Sequence, residues 1–77
     1  MKELLELIAR GLVDHPDAVV VEQDEPTGDG LIGLHLHVAE GDMGRVIGKQ
    51  GRIAKAMRTV MRAAATRQDV RVSVEID

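Results

Sequence analysis

"RVIGKQGRIAKAMR", Arg45 to Arg58, is the stretch on which the reading of this chain turns. Its apolar spacing is that of one amphipathic helix, yet Gly48-Lys49-Gln50-Gly51 cuts through the middle. Each glycine inside a helix costs about 1 kcal/mol relative to alanine. A chain of 77 residues buries only roughly 60% of its unfolded surface and can tolerate few such losses. The interruption therefore calls for a reason.

Working outward, Met43 to Ile47 reads as a short helical stretch and Arg52 to Arg67 as a long helix. Beyond it, Val70, Val72, Val74 and Ile76 alternate with Arg71, Ser73, Glu75 and Asp77, a clean strand pattern. Upstream, Leu34, Leu36 and Val38 alternate with His35 and His37, which predicts a half-buried strand. "DEPTGDG", Asp24 to Gly30, is dense in turn formers. The β-branched run Ala18 to Gln23 before it predicts another strand. At the start, Leu4, Leu5, Ile8 and Leu12 recur at helical spacing, and Pro16 stops the helix. The predicted order is helix, strand, strand, helix, helix, strand. Such helices can cover only one face of a three-stranded sheet, so the class is α+β in two layers, one domain over residues 1–77.

Composition narrows the function. With no Phe, Trp or Tyr, the core must be aliphatic, and there is no aromatic platform for stacking bases. The lack of cysteine excludes disulfides and thiolate metal sites and suits a cytoplasmic protein. "MKELLELIARGLVDHP" has neither a long apolar run nor a small-residue cleavage site, so it reads as neither signal peptide nor membrane span. The net charge of −3 conceals a segregation. Met43 to Gln68 holds seven bases (Arg45, Lys49, Arg52, Lys55, Arg58, Arg62 and Arg67) and no acid. All 13 acids lie elsewhere, against three bases. A one-sign block on an acidic chain points to a polyanionic partner, whereas a merely solvated helix face usually mixes signs.

The glycine loop fits that partner. Glycine reaches backbone angles closed to other residues and lets a second chain come close. The loop also opens a helix, whose unpaired N-terminal amides favour phosphate. Lys49 adds a charge and Gln50 adds donors. A tight helix–turn–helix with Gly48 as its C-cap would explain one glycine, but not the second glycine, the lysine tip or the basic helix behind it. Val46-Ile47-Gly48-Lys49-Gln50-Gly51-Arg52, set between helices in this order of elements, resembles the signature of a type II KH domain. The length and the run "DMGRVIGKQGRIAKAMRTVMRAAA" are similar to the small single-domain bacterial KH proteins of the KhpA family.

That resemblance implies a non-catalytic protein that clamps single-stranded RNA at the Gly48–Gly51 loop, with about four bases in a cleft between helices and sheet edge. Gly48 and Gly51 would admit the backbone, Lys49 and Gln50 would meet phosphates, and Ile47 and Ala54 would floor the cleft. Many KH domains carry Ile, Leu or Val where Ala54 stands, so base discrimination is expected to be weak. The family also implies a homodimer, pairing with a larger KH protein, KhpB (Jag), and links to RNA metabolism and cell shape as a chaperone or regulator.

At 100° per residue, Arg52, Lys55, Arg58 and Arg62 fall within an arc of roughly 120°, a basic stripe continuing from the loop. With Arg45 beside the loop, these are the expected RNA contacts. Ile53, Ala56, Val60 and Ala63 form a separate stripe of small apolar residues, read either as helix formers or as the dimer interface. An interaction module with incidental RNA contact is the second reading, and the basic loop tip favours the first. His35 and His37 could chelate a metal, but no third ligand lies at a telling distance, so they read as exposed strand residues. Met43, Met57 and Met61 read as core fillers. Acids such as Asp24, Glu25, Glu40 and Asp42 read as solvated loop residues. No nucleophile, base or acid is set beside partners for catalysis, and no cofactor or small-molecule substrate is expected.

Overall fold

The computed structural model describes residues 1–76, except for the side chains of Lys49 and Gln50. Helix α1, Lys2–Leu12, buries Leu5 and Ala9 completely and packs Leu4 and Ile8 against the same core. It ends at Leu12, four residues before the predicted stop at Pro16, and Val13 beyond it is extended. Pro16 instead opens a 3-10 turn, Pro16–Ala18, where its missing N–H is no loss. That turn consumes the start of the predicted first strand, and β1 spans Val20–Gln23.

Strand β2, Leu31–His37, pairs antiparallel with β1, with Glu22 opposite His35 and Val20 opposite His37. The connection closes on itself. Gly30, at φ +83°, donates to the Thr27 carbonyl, and Leu31 N–H reaches the Thr27 hydroxyl and the Asp29 carboxylate. Gly33 sits where a Cβ would lie 2.8 Å from Asp24 Oδ2, so its bare backbone makes room for that side chain.

Helix α2 runs from Glu40 to Arg67, and β3, Arg71–Ile76, lies parallel to β2. A parallel neighbour needs a crossover, which α2 supplies. The sheet order is β1-β2-β3, leaving β3 at an edge. Leu34, Leu36, Val21 and Val74 face the helices and meet Leu5, Val46, Met57 and Met61 in one aliphatic core. Glu22, His35, His37 and Glu75 belong to the uncovered face, where the acids sit near the histidines: His35 Nε2 lies 2.7 Å from Asp24, and His37 Nε2 2.7 Å from Glu22. The fold is α+β with a mixed three-stranded sheet covered on one face, as the sequence predicts.

The two helices expected around the glycines are one continuous helical run of 28 residues. The interruption is confined to Gly51, whose φ of +70° no right-handed helical residue adopts. The buried positions show its effect. Before the glycines they are Asp42 and Val46; afterwards they are Ala54, Met57, Met61 and Ala65. On an unbroken helix these two sets would centre roughly 80° apart. The left-handed step at Gly51 lets each half turn its own face inward.

Candidate nucleic-acid interface

The glycines divide their roles differently from the sequence reading. Gly51, not Gly48, is the one whose backbone angle requires glycine. Gly48 has no positive φ, and a Cβ built there would meet nothing within 4 Å. Neither conformation nor packing explains its missing side chain, which leaves the outer surface of α2 bare at that point. Gly44, one turn earlier, faces open space in the same way. The expected phosphate contacts of Lys49 and Gln50 concern side chains outside the described residues.

Around this bare stretch, Ile47 is 49% exposed, while Ala54 is nearly closed off at 5%. The accessible apolar surface beside the glycines therefore comes from Ile47, Leu12 and Ile53 rather than from Ala54. Leu12, the last of the apolar residues at helical spacing in α1, is 39% exposed. It borders a groove of about 450 Å³ with Gly44, Arg45, Gly48 and Ile53.

The basic stripe is laid out as its spacing requires. Arg52, Lys55 and Arg62 are exposed, and among the described residues none of them pairs with an acid. Two members are already engaged. Arg45 Nη1 donates to Asp14 at 2.7 Å, an exposed pair that solvent screens. Arg58, half-buried, donates from Nε to the Val74 carbonyl of β3 at 3.3 Å. Arg58 and Arg62 face a cleft of about 390 Å³ whose other wall is Val72, Ser73, Val74 and Glu75. Sequence reading anticipated a cleft beside a sheet edge but not this wall, because the strand order that puts β3 at the edge is a long-range property.

On the opposite flank of α2, Ala56 and Ala63 are exposed and Val60 is 45% exposed, while Ile53 packs partly against the core. The small apolar stripe is thus an open surface over three of its four members.

Asp42 departs furthest from expectation. It is 1% exposed, not a solvated loop residue, and lies in the first turn of α2. It accepts the backbone N–H groups of Asp14 and His15, at 3.1 and 3.0 Å. Burial opposes its ionisation, but these two amides and the His15 ring outweigh it and hold the carboxyl below its ordinary range. The contact fixes the corner after α1 against the helix that carries the glycines. Its only sequence signal was the acid three residues after Ala39, at the start of a helix. Among the described residues no group of three potential ligands could hold a metal ion, and no helix is long and apolar enough to cross a membrane.

A family model described as KhpA/KhpB, KH domain, matches residues 2–76. The chain is 62% identical over 76 residues to the RNA-binding protein KhpA of Clostridium acetobutylicum, covering 99% of each chain. It is 57% identical to the RNA-binding protein KhpA of Clostridium perfringens over the same share of both. Among solved structures it resembles a variant of Aquifex aeolicus Era bound to GDP and AlF4⁻, with a TM-score of 0.71 at 22% identity. It also resembles Era in complex with MgGDPNP and nucleotides 1506–1542 of 16S ribosomal RNA, with a TM-score of 0.72 at 22% identity. Each likeness covers 97% of this chain and 28% of the Era chain, and it shows the fold alone.

Proposed function

We propose that this chain, which belongs to the KhpA/KhpB KH-domain family, is a non-catalytic cytoplasmic protein that binds single-stranded RNA. The observation that carries the reading is the bare backbone at Gly48, unexplained by the fold, at the head of a basic stripe in which Arg52, Lys55 and Arg62 pair with no acid among the described residues. A ribose–phosphate backbone would approach at Gly48 and Gly51, and Lys49 and Gln50 would contact its phosphates. Arg52, Lys55 and Arg62 would attract the flanking strand. Without aromatic residues the bases gain little from stacking, so binding is weak and tolerant of sequence, as befits an RNA chaperone or post-transcriptional regulator.

Fluorescence anisotropy with a short single-stranded RNA, over a salt series, tests this. Four phosphate contacts at about −0.7 each give a log–log salt slope of roughly −2 to −3. Lys49→Asp combined with Gln50→Asp should abolish binding while the protein stays folded; equal binding by both proteins would sink the clamp. A parallel DNA oligonucleotide asks whether the ribose hydroxyl matters.

The open stripe of Ala56, Val60 and Ala63 beside Ile53 supports a second, compatible reading, in which the chain forms a homodimer or pairs with KhpB. Joining two weak clamps raises effective affinity. Ile53→Asp should then sediment as a monomer; a variant that stays dimeric places the interface elsewhere.

A further inference from the structure

Arg45 and Arg58 belong to the same basic block, yet they border different grooves. Arg58 and Arg62 face the cleft against β3, whereas Arg45 lies on the groove of about 450 Å³ with Leu12, Gly44, Gly48 and Ile53. The two grooves have no lining residue in common. Ile53 and Arg58 point roughly 140° apart around the helix, so α2 itself stands between the grooves. Gly48, where the RNA backbone is proposed to approach, borders only the second. Gly44 borders it too, although it lies outside the Gly48–Gly51 loop. A Cβ at Gly44 would meet nothing within 4 Å, so the fold gives no reason for its missing side chain. The clamp gives none either.

The make-up of this groove suits a nucleotide. Leu12 and Ile53 are aliphatic walls, and two glycines one turn apart leave the helix backbone bare between them. Arg45 is the one charged side chain on the groove, and no acid is among its described lining residues. The Arg45 guanidinium is held by the exposed pair with Asp14, a contact that a phosphate can replace at little cost. A base laid against the aliphatic walls, with its phosphate beside Arg45, uses both features. An apolar peptide side chain would use the walls and leave the cation unanswered. We infer that the groove between the end of α1 and α2 is a second nucleotide subsite, filled by the strand as it crosses Gly48 away from the β3 cleft. Bound RNA then lies on both flanks of α2, and Gly44 is bare to admit it. This rests on the RNA-binding reading above and carries the strand beyond the cleft.

The full chain, isotope-labelled for NMR, tests it by titration with a uridine tetramer and a uridine octamer, both affinities being read by anisotropy. The octamer should shift the Leu12 methyl and Gly44 amide resonances; the tetramer, held by the clamp and cleft alone, should not. Gly44→Leu puts a side chain into the groove and favours the helix. It should keep the tetramer affinity and cut the octamer's advantage over the tetramer about five-fold, the effect of covering one base face with aliphatic surface. Comparing that advantage between the two proteins cancels the extra registers and charges of a longer strand. Leu12 and Gly44 resonances indifferent to saturating octamer would overturn the inference without any variant. So would an unchanged octamer advantage in a folded Gly44→Leu protein, or an equal loss of both oligonucleotides. Shifts at Leu12 and Gly44 on raising the protein concentration without RNA would put a second copy in the groove and overturn it as well. Each of these leaves the clamp standing if the tetramer still binds. If neither oligonucleotide binds, the RNA-binding reading falls and this inference falls with it.

Discussion

The Asp42 carboxylate holds His15 twice, accepting its backbone N–H at 3.0 Å and lying 3.2 Å from its ring Nδ1. The residues are 27 apart in sequence, so one buried acid joins the corner after α1 to the first turn of α2. Against an ionised carboxylate, Nδ1 carries the proton. The imidazole is mostly exposed while the carboxylate is not, so the backbone amides of Asp14 and His15 depend most on this contact. Asp42→Ala leaves two part-buried amides without an acceptor and should lower the melting temperature by several degrees. His15→Ala removes only the ring contact and should cost less. A smaller loss for Asp42→Ala than for His15→Ala in thermal denaturation would show that the clasp is incidental.

The same residue sets the acid limit. Asp42 is held below its ordinary value of 3.8, so the folded state favours its ionised form. A depressed folded pKa contributes stability that is complete above the unfolded value and is lost as pH falls through the folded one. Asp29 shifts in the same direction, through the Thr27 hydroxyl, the Leu31 amide and Arg71, against a smaller opposing effect of burial. Stability should be flat on this account near neutrality and should fall below about pH 4. Asp42→Asn should be less stable at neutral pH and flatten the acid limb. Parallel acid limbs in urea titrations at several pH values would contradict the assignment.

Turn chemistry after α2 supplies a stability test far from any proposed contact. Asp69 has a φ of +58°, and the helix ends around it in a Schellman pattern. Val70 N–H reaches the Ala65 carbonyl at 2.9 Å and Asp69 N–H the Thr66 carbonyl at 3.1 Å. Glycine is the usual residue there, and an acid beside a helix C-terminus also opposes the dipole. Asp69→Gly should therefore stabilise the fold by about 0.5–1 kcal/mol, read as a higher denaturation midpoint at an unchanged slope. An unchanged midpoint would mean that the aspartate side chain compensates locally.

These particulars show where sequence reading succeeded. The strands were legible because Leu34, Leu36 and Val74 alternate with His35 and Glu75, and period-2 alternation has few other meanings. Met57 and Met61 fell in the core because their spacing continued an apolar stripe. What was not legible depended on partners distant in the chain. Asp42 read as solvated because its acceptors' donors, Asp14 and His15, lie 28 and 27 residues away. The Arg58 tie to Val74 required knowing that β3 forms an edge. The glycine pair was located correctly, but its division of labour was misread: a backbone angle follows from how two helix halves pack, which periodicity does not reveal.

That division yields the sharpest contrast. Gly51 holds a left-handed angle, so Gly51→Ala forces a β-carbon into it and should destabilise by about 1–2 kcal/mol. Gly48 is helical in sense and faces nothing within 4 Å, so Gly48→Ala should be neutral or stabilising, by up to about 1 kcal/mol. If an RNA backbone rests on that bare surface, the added methyl group obstructs it. Gly48→Ala should then be the more stable and the weaker RNA binder of the pair, a combination that general damage to the fold cannot produce. Denaturation and anisotropy on the same preparations read both properties. Should Gly48→Ala bind RNA as well as the wild type, the backbone does not approach there, and the clamp must rest on Lys49, Gln50 and the basic stripe.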